Sequence, residues 1–371
     1  MKSADNIPQD ELHYETLFNA LLDKPVYGVP QEHKSKLLLD ILNLLHGHHM
    51  QDCPAYFNMF QHQGSHPVAT LEELPYMAVR LFKHLTLQSV PNEQVFKTLY
   101  SSGTTTQTPA KVVLDRDTSA RQSKVLVKIL QAFLGKNRLP MLIIDTPSVL
   151  KDKSSYSARG AGIQGLSIFG RNHTYALDDN MQPDWSVIDA FCEKHQAQPV
   201  LIFGFTFMVW KYFVQALRQQ KRRFSLPHGV LLHSGGWKKL ESEKVGNEEF
   251  KSEVKDVLGV LNVHNFYGMA EQVGSIFVEC EQGHLHSPLF ADVIIRNPYS
   301  LQPVGVGESG IIQVLSALPT SYPGHSLLTE DLGKLLGVDD CPCGRAGKYF
   351  QVEGRLPKTE TRGCSDTHQP V

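Results

Sequence analysis

Apolar side chains recur at intervals of three and four in the first part of the chain, as in "HKSKLLLDILNLLHGHH" (33–49) and "VATLEELPYMAVRLFKHL" (68–85). That period predicts helices, so residues 9–90 read as mainly helical. From about residue 95 the pattern changes. Short, continuous apolar runs ("KVVLD", "MLIID", "PVLIFG", "GVLLHSG", "VLNVHNFYG") alternate with helical ones ("SARQSKVLVKILQAFLG", "FMVWKYFVQALRQQ"). Buried strands alternating with helices predict an α/β core with mostly parallel strands. Beyond residue 287 the segments "ADVIIRNP" and "SGIIQVLSALP" are punctuated by glycine and proline and read as a smaller β-rich part. The expected organisation is a helical N-terminal region (1–94), an α/β nucleotide-binding core (95–287), a β-rich subdomain (288–354) and a polar tail (355–371).

With 36 basic and 38 acidic side chains among 371 residues, the chain carries no broad charge footprint for nucleic acid or an anionic membrane. The polar start "MKSADNIPQDELHYETL" has no apolar core of a signal peptide. Six cysteines spread over this length do not suggest a secreted disulfide framework, and a reducing cytoplasm is the expected compartment.

Candidate chemistry begins at "YSSGTTTQTPAK" (100–111). Ser101, Ser102, Gly103, Thr104 and Thr105 combine hydroxyl donors with open backbone N–H groups, which suits phosphate oxygens; the same composition also describes a solvated turn. Gly235 and Gly236 follow the strand "GVLLH" and would let backbone approach a flat ring. In "NFYGMAEQ", Tyr267 could stack on adenine or serve as a core aromatic, Gly268 follows it, and Glu271 could ligate Mg²⁺. Asp331 suits ribose hydroxyls and Arg355 ribose or phosphate, although both also fit surface ion pairs.

These stretches, with "HSGGWKK", "LLTEDLG" and "VEGR" in the same order, resemble the nucleotide-binding motifs of the adenylate-forming superfamily of acyl-CoA synthetases and luciferases. The resemblance implies that superfamily's N-terminal-domain fold, with ATP and Mg²⁺ as cofactors. It also assigns the Ser/Thr/Gly loop to the phosphates, Tyr267 to adenine and Glu271 to Mg²⁺. "SSYSARGAGIQGLSIFGR", "LIFGFTFMVWKYF", "LLHSGGWKK" and "GRLPKTETRGCSD" further resemble the LuxE type of acyl-protein synthetase over roughly residues 90 to 366.

That family implies activation of a carboxylic acid, a fatty acid in the family's case, as an acyl-adenylate, passage of the acyl group to a cysteine near the C-terminus, and delivery to a reductase partner. Cys364 holds the matching position. A thiolate is a strong acyl acceptor, and Arg362 could favour it. The nine residues from Arg355 to Cys364 reach roughly 30 Å when extended. The rival expectations are an acyl- or aryl-CoA ligase and a non-catalytic scaffold that keeps the nucleotide fold.

Two departures from the superfamily pattern bear on catalysis. Thr106 stands where glycine is usual, and the Pro-Lys pair is split as Pro109-Ala110-Lys111. Acyl-CoA synthetases of the superfamily also continue past the glycine-arginine hinge into a domain with a catalytic lysine, whereas this sequence has 16 residues after Arg355. Lys238, beside the glycine pair, is the candidate for a replacement cation, with a solvent-facing lysine as the plainer reading.

Finally, "CPCGR" presents Cys341 and Cys343 on a tight knuckle, and Cys280 with His286 in "ECEQGHLHSP" could complete a structural zinc site. His284 competes with His286 as the fourth ligand. Similar stretches occur in the phenylacetate-CoA ligase branch of the superfamily.

Overall fold

A computed structural model describes residues 9–63, 66–100, 109–150, 158–237 and 244–356. The chain opens with helices α1 (Gln9–Leu22), α2 (Gln31–Asp52) and α3 (Pro54–Phe60). Leu38, Ile41, Leu42 and Leu45 are buried along one stripe of α2, the face that its helical period predicts. Each such side chain contributes about 1.5–3 kcal/mol by leaving water.

Residues 68–85 do not form the expected helix. They fold as a 3₁₀ turn Leu71–Glu73, the two-residue strand β1 (Met77–Ala78) and a second 3₁₀ turn Val79–Lys83. Pro75 holds Leu74 in an extended conformation (φ −55°, ψ 130°), and β1 then pairs in parallel with a distant strand.

The hairpin β2 (Lys97–Tyr100) and β3 (Lys111–Leu114) forms a separate antiparallel pair, with Tyr100 opposite Lys111. Next comes α4 (Arg116–Leu134), where Asp115 caps the helix by accepting from the Thr118 amide at 2.8 Å. The α/β alternation follows as β4 (Leu139–Ile143), α5 (Ala158–Ser167), β5 (Gly170–Tyr175), α6 (Trp185–His195) and β6 (Val200–Phe205). The expected single helix after β6 is α7 (Thr206–Met208), a π-helical stretch Val209–Val214 and α8 (Gln215–Gln219). After β7 (Gly229–Ser234), α9 (Asn247–Leu258) leads to β8 (Asn262–Tyr267).

The rest is β structure: β9 (Phe277–Glu279), β10 (Leu285–His286), β11 (Ala291–Arg296), β12 (Ser309–Ser316), β13 (Ser326–Val338) and β14 (Lys348–Arg355). One large sheet has the order β11-β12-β13-β14-β10-β9-β8-β7-β6-β4-β5, with β1 added alongside β13. Strands β4 to β8 are mutually parallel, and from β9 onward the neighbours are antiparallel. Apolar clusters cover both faces of the parallel half, one built around Met141, Phe203 and Leu232 and the other around Ile202, Trp210 and Phe250. A third fills the space between β11–β14 and the β2–β3 hairpin. Among the described residues no helix is long and apolar enough to cross a membrane.

Candidate nucleotide site and cysteine–histidine cluster

Parallel strands β6, β7 and β8 finish side by side at Phe205, Ser234 and Tyr267. In open α/β sheets the crevice beyond the carboxyl ends of such strands takes the ligand. Gly235 turns the chain away from β7 with φ 85°, and a Cβ there would lie 3.1 Å from the Phe205 ring. At Gly236 a Cβ would meet nothing within 4 Å, so the backbone lies open. At Gly268 it would crowd Ile276 Cγ2 at 3.0 Å.

Tyr267 rests its ring on Phe277 and Phe350, with centroids 6.1 and 6.2 Å away, and its hydroxyl donates to Asp331 Oδ2 at 2.7 Å. Burial and the Asp331 charge push the tyrosine pKa well above its ordinary value, so the hydroxyl stays a donor. Asp331 is braced from behind, its amide donating to Thr329 Oγ1 at 3.1 Å. It also faces Arg355 across the β13–β14 pair, with Nε 3.4 Å from Oδ1. The Arg355 side chain is 80% exposed, so the ion pair contributes little stability and leaves its remaining N–H groups available.

Glu271 lies on the 3₁₀ turn Ala270–Gln272 and is buried. Burial raises its carboxyl pKa, while Lys83 and Arg355 oppose that shift. Next to it, Gln272 Nε2 donates to Val314 O at 3.1 Å and Gly324 O at 2.7 Å, fixing the turn against the β12–β13 connection. The result is a hard oxygen donor fixed on a buried turn, the ligand type that suits a phosphate-bound divalent metal.

Ser101, Ser102, Gly103, Thr104, Thr105, Lys238 and Cys364 lie outside the described residues. The β2–β3 hairpin brackets residues 101–108. The structure also brings in residues that the motifs do not mark. The turn Val79–Lys83 packs on β3 and β13, with Arg80 2.8 Å from Glu330.

Cys280, His286, Cys341 and Cys343 converge elsewhere, their ligand atoms all within 4.8 Å of one another. Cys343 Sγ is 3.3 Å from His286 Nε2, and the Cys280 and Cys341 sulfurs are 3.9 Å apart. Tetrahedral zinc, with bonds of about 2.3 Å to sulfur and about 2.0 Å to nitrogen, requires spacings of this order. His284 sits just outside the quartet, its Nδ1 3.4 Å from Cys341 Sγ. Burial pushes the Cys343 thiol up, but hydrogen bonds, led by those from the Arg345 backbone and guanidinium, bring it below its ordinary value. Three thiols and one imidazole form a donor set that fits zinc.

The fold is that of the adenylate-forming ligases. A structure of 2-hydroxyisobutyryl-CoA ligase in an open conformation, with 2-HIB-AMP and CoA bound, superposes with a TM-score of 0.66 at 18% identity, covering 89% of this chain and 76% of that one. A structure of the same ligase in its thioesterification state gives 0.66 at 18% identity, with 91% and 72% covered.

Within that class the chain belongs to the LuxE acyl-protein synthetase family, whose model matches residues 9–370. Its curated relatives include the long-chain-fatty-acid–luciferin-component ligases of Aliivibrio fischeri and Vibrio harveyi. The former is 22% identical over 191 residues (51% of this chain, 50% of the relative), the latter 22% over 161 residues (42% of each). The chain thus spans about half the length of the curated relatives it matches or less.

Proposed function

We propose that the chain is an acid–thiol ligase that activates a carboxylic acid, most simply a fatty acid, with ATP and Mg²⁺ and loads it onto its own Cys364. The observation that carries this reading is the grouping of Tyr267, Asp331 and Arg355, with Glu271 buried four positions after the tyrosine. Tyr267 lies against adenine, with Gly235, Gly236 and Gly268 giving the ring close access to backbone. Asp331 accepts from the ribose hydroxyls, Arg355 reaches ribose or phosphate, and Glu271 holds Mg²⁺. Residues 101–105 embrace the phosphates.

In the first step a carboxylate oxygen attacks the α-phosphorus and pyrophosphate leaves with the bond electrons. In the second, the Cys364 thiolate attacks the acyl carbon and AMP leaves, giving a thioester. The acyl group then passes to an acceptor protein such as an acyl reductase. Family membership supports the acyl-protein reading, and the names of the two curated relatives support a long-chain acid. The cysteine–histidine quartet is proposed as a structural zinc site that ties the β9–β10 turn to the knuckle before β14.

The test is intact-protein mass spectrometry after incubation with ATP, Mg²⁺ and a panel of fatty and aromatic acids, alongside Cys364→Ala. A hydroxylamine-labile adduct that disappears in the variant is expected, and its mass names the acid. Pyrophosphate release without an adduct, with turnover on adding CoA, would replace the protein-acylation step by a CoA-ligase step. Failure to bind ATP would leave the scaffold reading.

A further inference from the structure

The turn Val79–Lys83 reaches the candidate nucleotide site by an unusual route. β1 adds to the large sheet in parallel with β13, Met77 opposite Leu327 and Ala78 opposite Leu328, so the chain emerges beside the segment that carries Asp331. Arg80 then pairs with Glu330 at 2.8 Å. Phe82 is buried and meets the Tyr322 ring edge-on at 5.9 Å. Tyr322 in turn adjoins the Glu271 turn: a Cβ on Gly324 would collide with both the Tyr322 ring and the Glu271 carbonyl oxygen. The other side of the same turn packs on β3, the strand that leaves residues 101–108.

Lys83 ends this turn. It is partly buried, and its charge, with that of Arg355, opposes the rise of the Glu271 carboxyl pKa that burial causes. Among the described residues, no hydrogen bond or ion pair engages its ammonium group. A half-buried cation that makes no hydrogen bond or ion pair among the described residues, on a turn packed between β3 and β13 and acting on a buried carboxylate, is poised for an anionic ligand.

We propose that Lys83 is a catalytic cation of the adenylation step, contacting phosphate oxygens of ATP and stabilising the charge that develops as pyrophosphate leaves. This rests on the adenylation reading above. Lys83 exchanges no proton: the carboxylate–phosphorus bond forms, the bond to the bridging oxygen breaks, and the ammonium stays charged throughout. The competing role, in which Lys83 only positions Glu271 for the metal, makes a different prediction for magnesium dependence.

The experiment compares wild type, Lys83→Met, Lys83→Gln and Lys83→Arg by pyrophosphate release, by calorimetric binding of ATP with Mg²⁺, and by thermal melting. Loss of one such charge contact lowers turnover on the order of 100-fold. Lys83→Met should show that loss at saturating Mg²⁺, with KM for the acid unchanged, and Lys83→Arg should recover part of it. Activity within threefold of wild type, or full recovery on raising Mg²⁺, overturns the proposal. Should the Met variant fail to fold, Lys83→Gln carries the same expectation and the same refutation. A wild type that binds ATP but activates no acid sinks the ligase reading alone. Lys83 is then judged on ATP affinity, which should fall at least tenfold in the Met or Gln variant, and equal affinity refutes it. No ATP binding by wild type refutes both.

Discussion

The Tyr267 hydroxyl donates to Asp331 Oδ2 at 2.7 Å and so joins the last residue of β8 to β13, 64 positions further on. The aromatic wall and the carboxylate proposed for the ribose therefore move as one unit. Tyr267→Phe keeps the ring and removes the tie. A hydrogen bond to a charged group contributes about 1.5–3 kcal/mol, so a loss of unfolding free energy of that order, measured by urea titration, is expected, together with weaker ATP binding. Unchanged stability and unchanged ATP affinity would show the tie to be idle.

Glu271→Gln is nearly isosteric but lacks the charge that a hard divalent cation requires. The folded variant should need far more Mg²⁺ for pyrophosphate release, with maximal turnover lower by on the order of 100-fold. The check is a magnesium titration at fixed ATP. A superimposable curve would remove Glu271 from the metal site.

For the cysteine–histidine quartet, purified protein should contain about one zinc per chain by elemental analysis, and Cys343→Ser should lose it. Stripping the metal with a chelator should lower the melting temperature because the ligand turns lose their cross-link. His284→Ala should retain the metal, since the geometry selects His286. Metal-free protein with an unchanged melting point would rule out a structural role.

Acid should destabilise the fold from about pH 6.5 downward. His49 and His325 stack with centroids 5.0 Å apart, buried near His46, His48 and Tyr56, and His49 also contacts Ser89 Oγ and Pro319 O. Burial first, then neighbouring histidines, holds both pKa values well below the ordinary range. The folded state therefore refuses protons that the unfolded chain accepts below its own pKa of about 6.5. Stability is whole above that value and falls by about 1.4 kcal/mol per pH unit for each histidine as pH drops towards the folded pKa. Urea midpoints between pH 7.5 and 5 should show this slope, and His325→Gln should flatten it. An equal slope in the variant would assign the effect to other groups.

The parallel strands were legible because burial on both faces leaves continuous apolar runs such as "VLIFG", which only a strand or a buried helix can use. The cysteine and histidine positions were legible from their short spacings, although spacing could not choose between His284 and His286, and the convergence of His286 with all three thiols within 4.8 Å does. The turn bearing Lys83 was illegible for a definite reason. Leu71, Leu74 and Met77 are all buried at intervals of three, which copies a helical stripe, yet they are buried by tertiary packing and by a two-residue strand too short to leave a pattern of its own. Local period carries no information about which distant strand will accept the pairing.

The same N-terminal segments grip the far end of the chain. Tyr14 donates to Ala317 O at 2.7 Å, the Gln31 amide to Asp339 at 2.9 Å, and Gln31 Nε2 to Asp292 at 2.7 Å. A protein engineer who sought a minimal, portable acid-activating module by trimming to the motif-bearing stretch from residue 95 onward would strip those grips, β1 and Lys83 together. The tolerant cut points and graft boundaries should therefore lie outside residues 14–356, and chimeras of this chain should exchange that span as a single block.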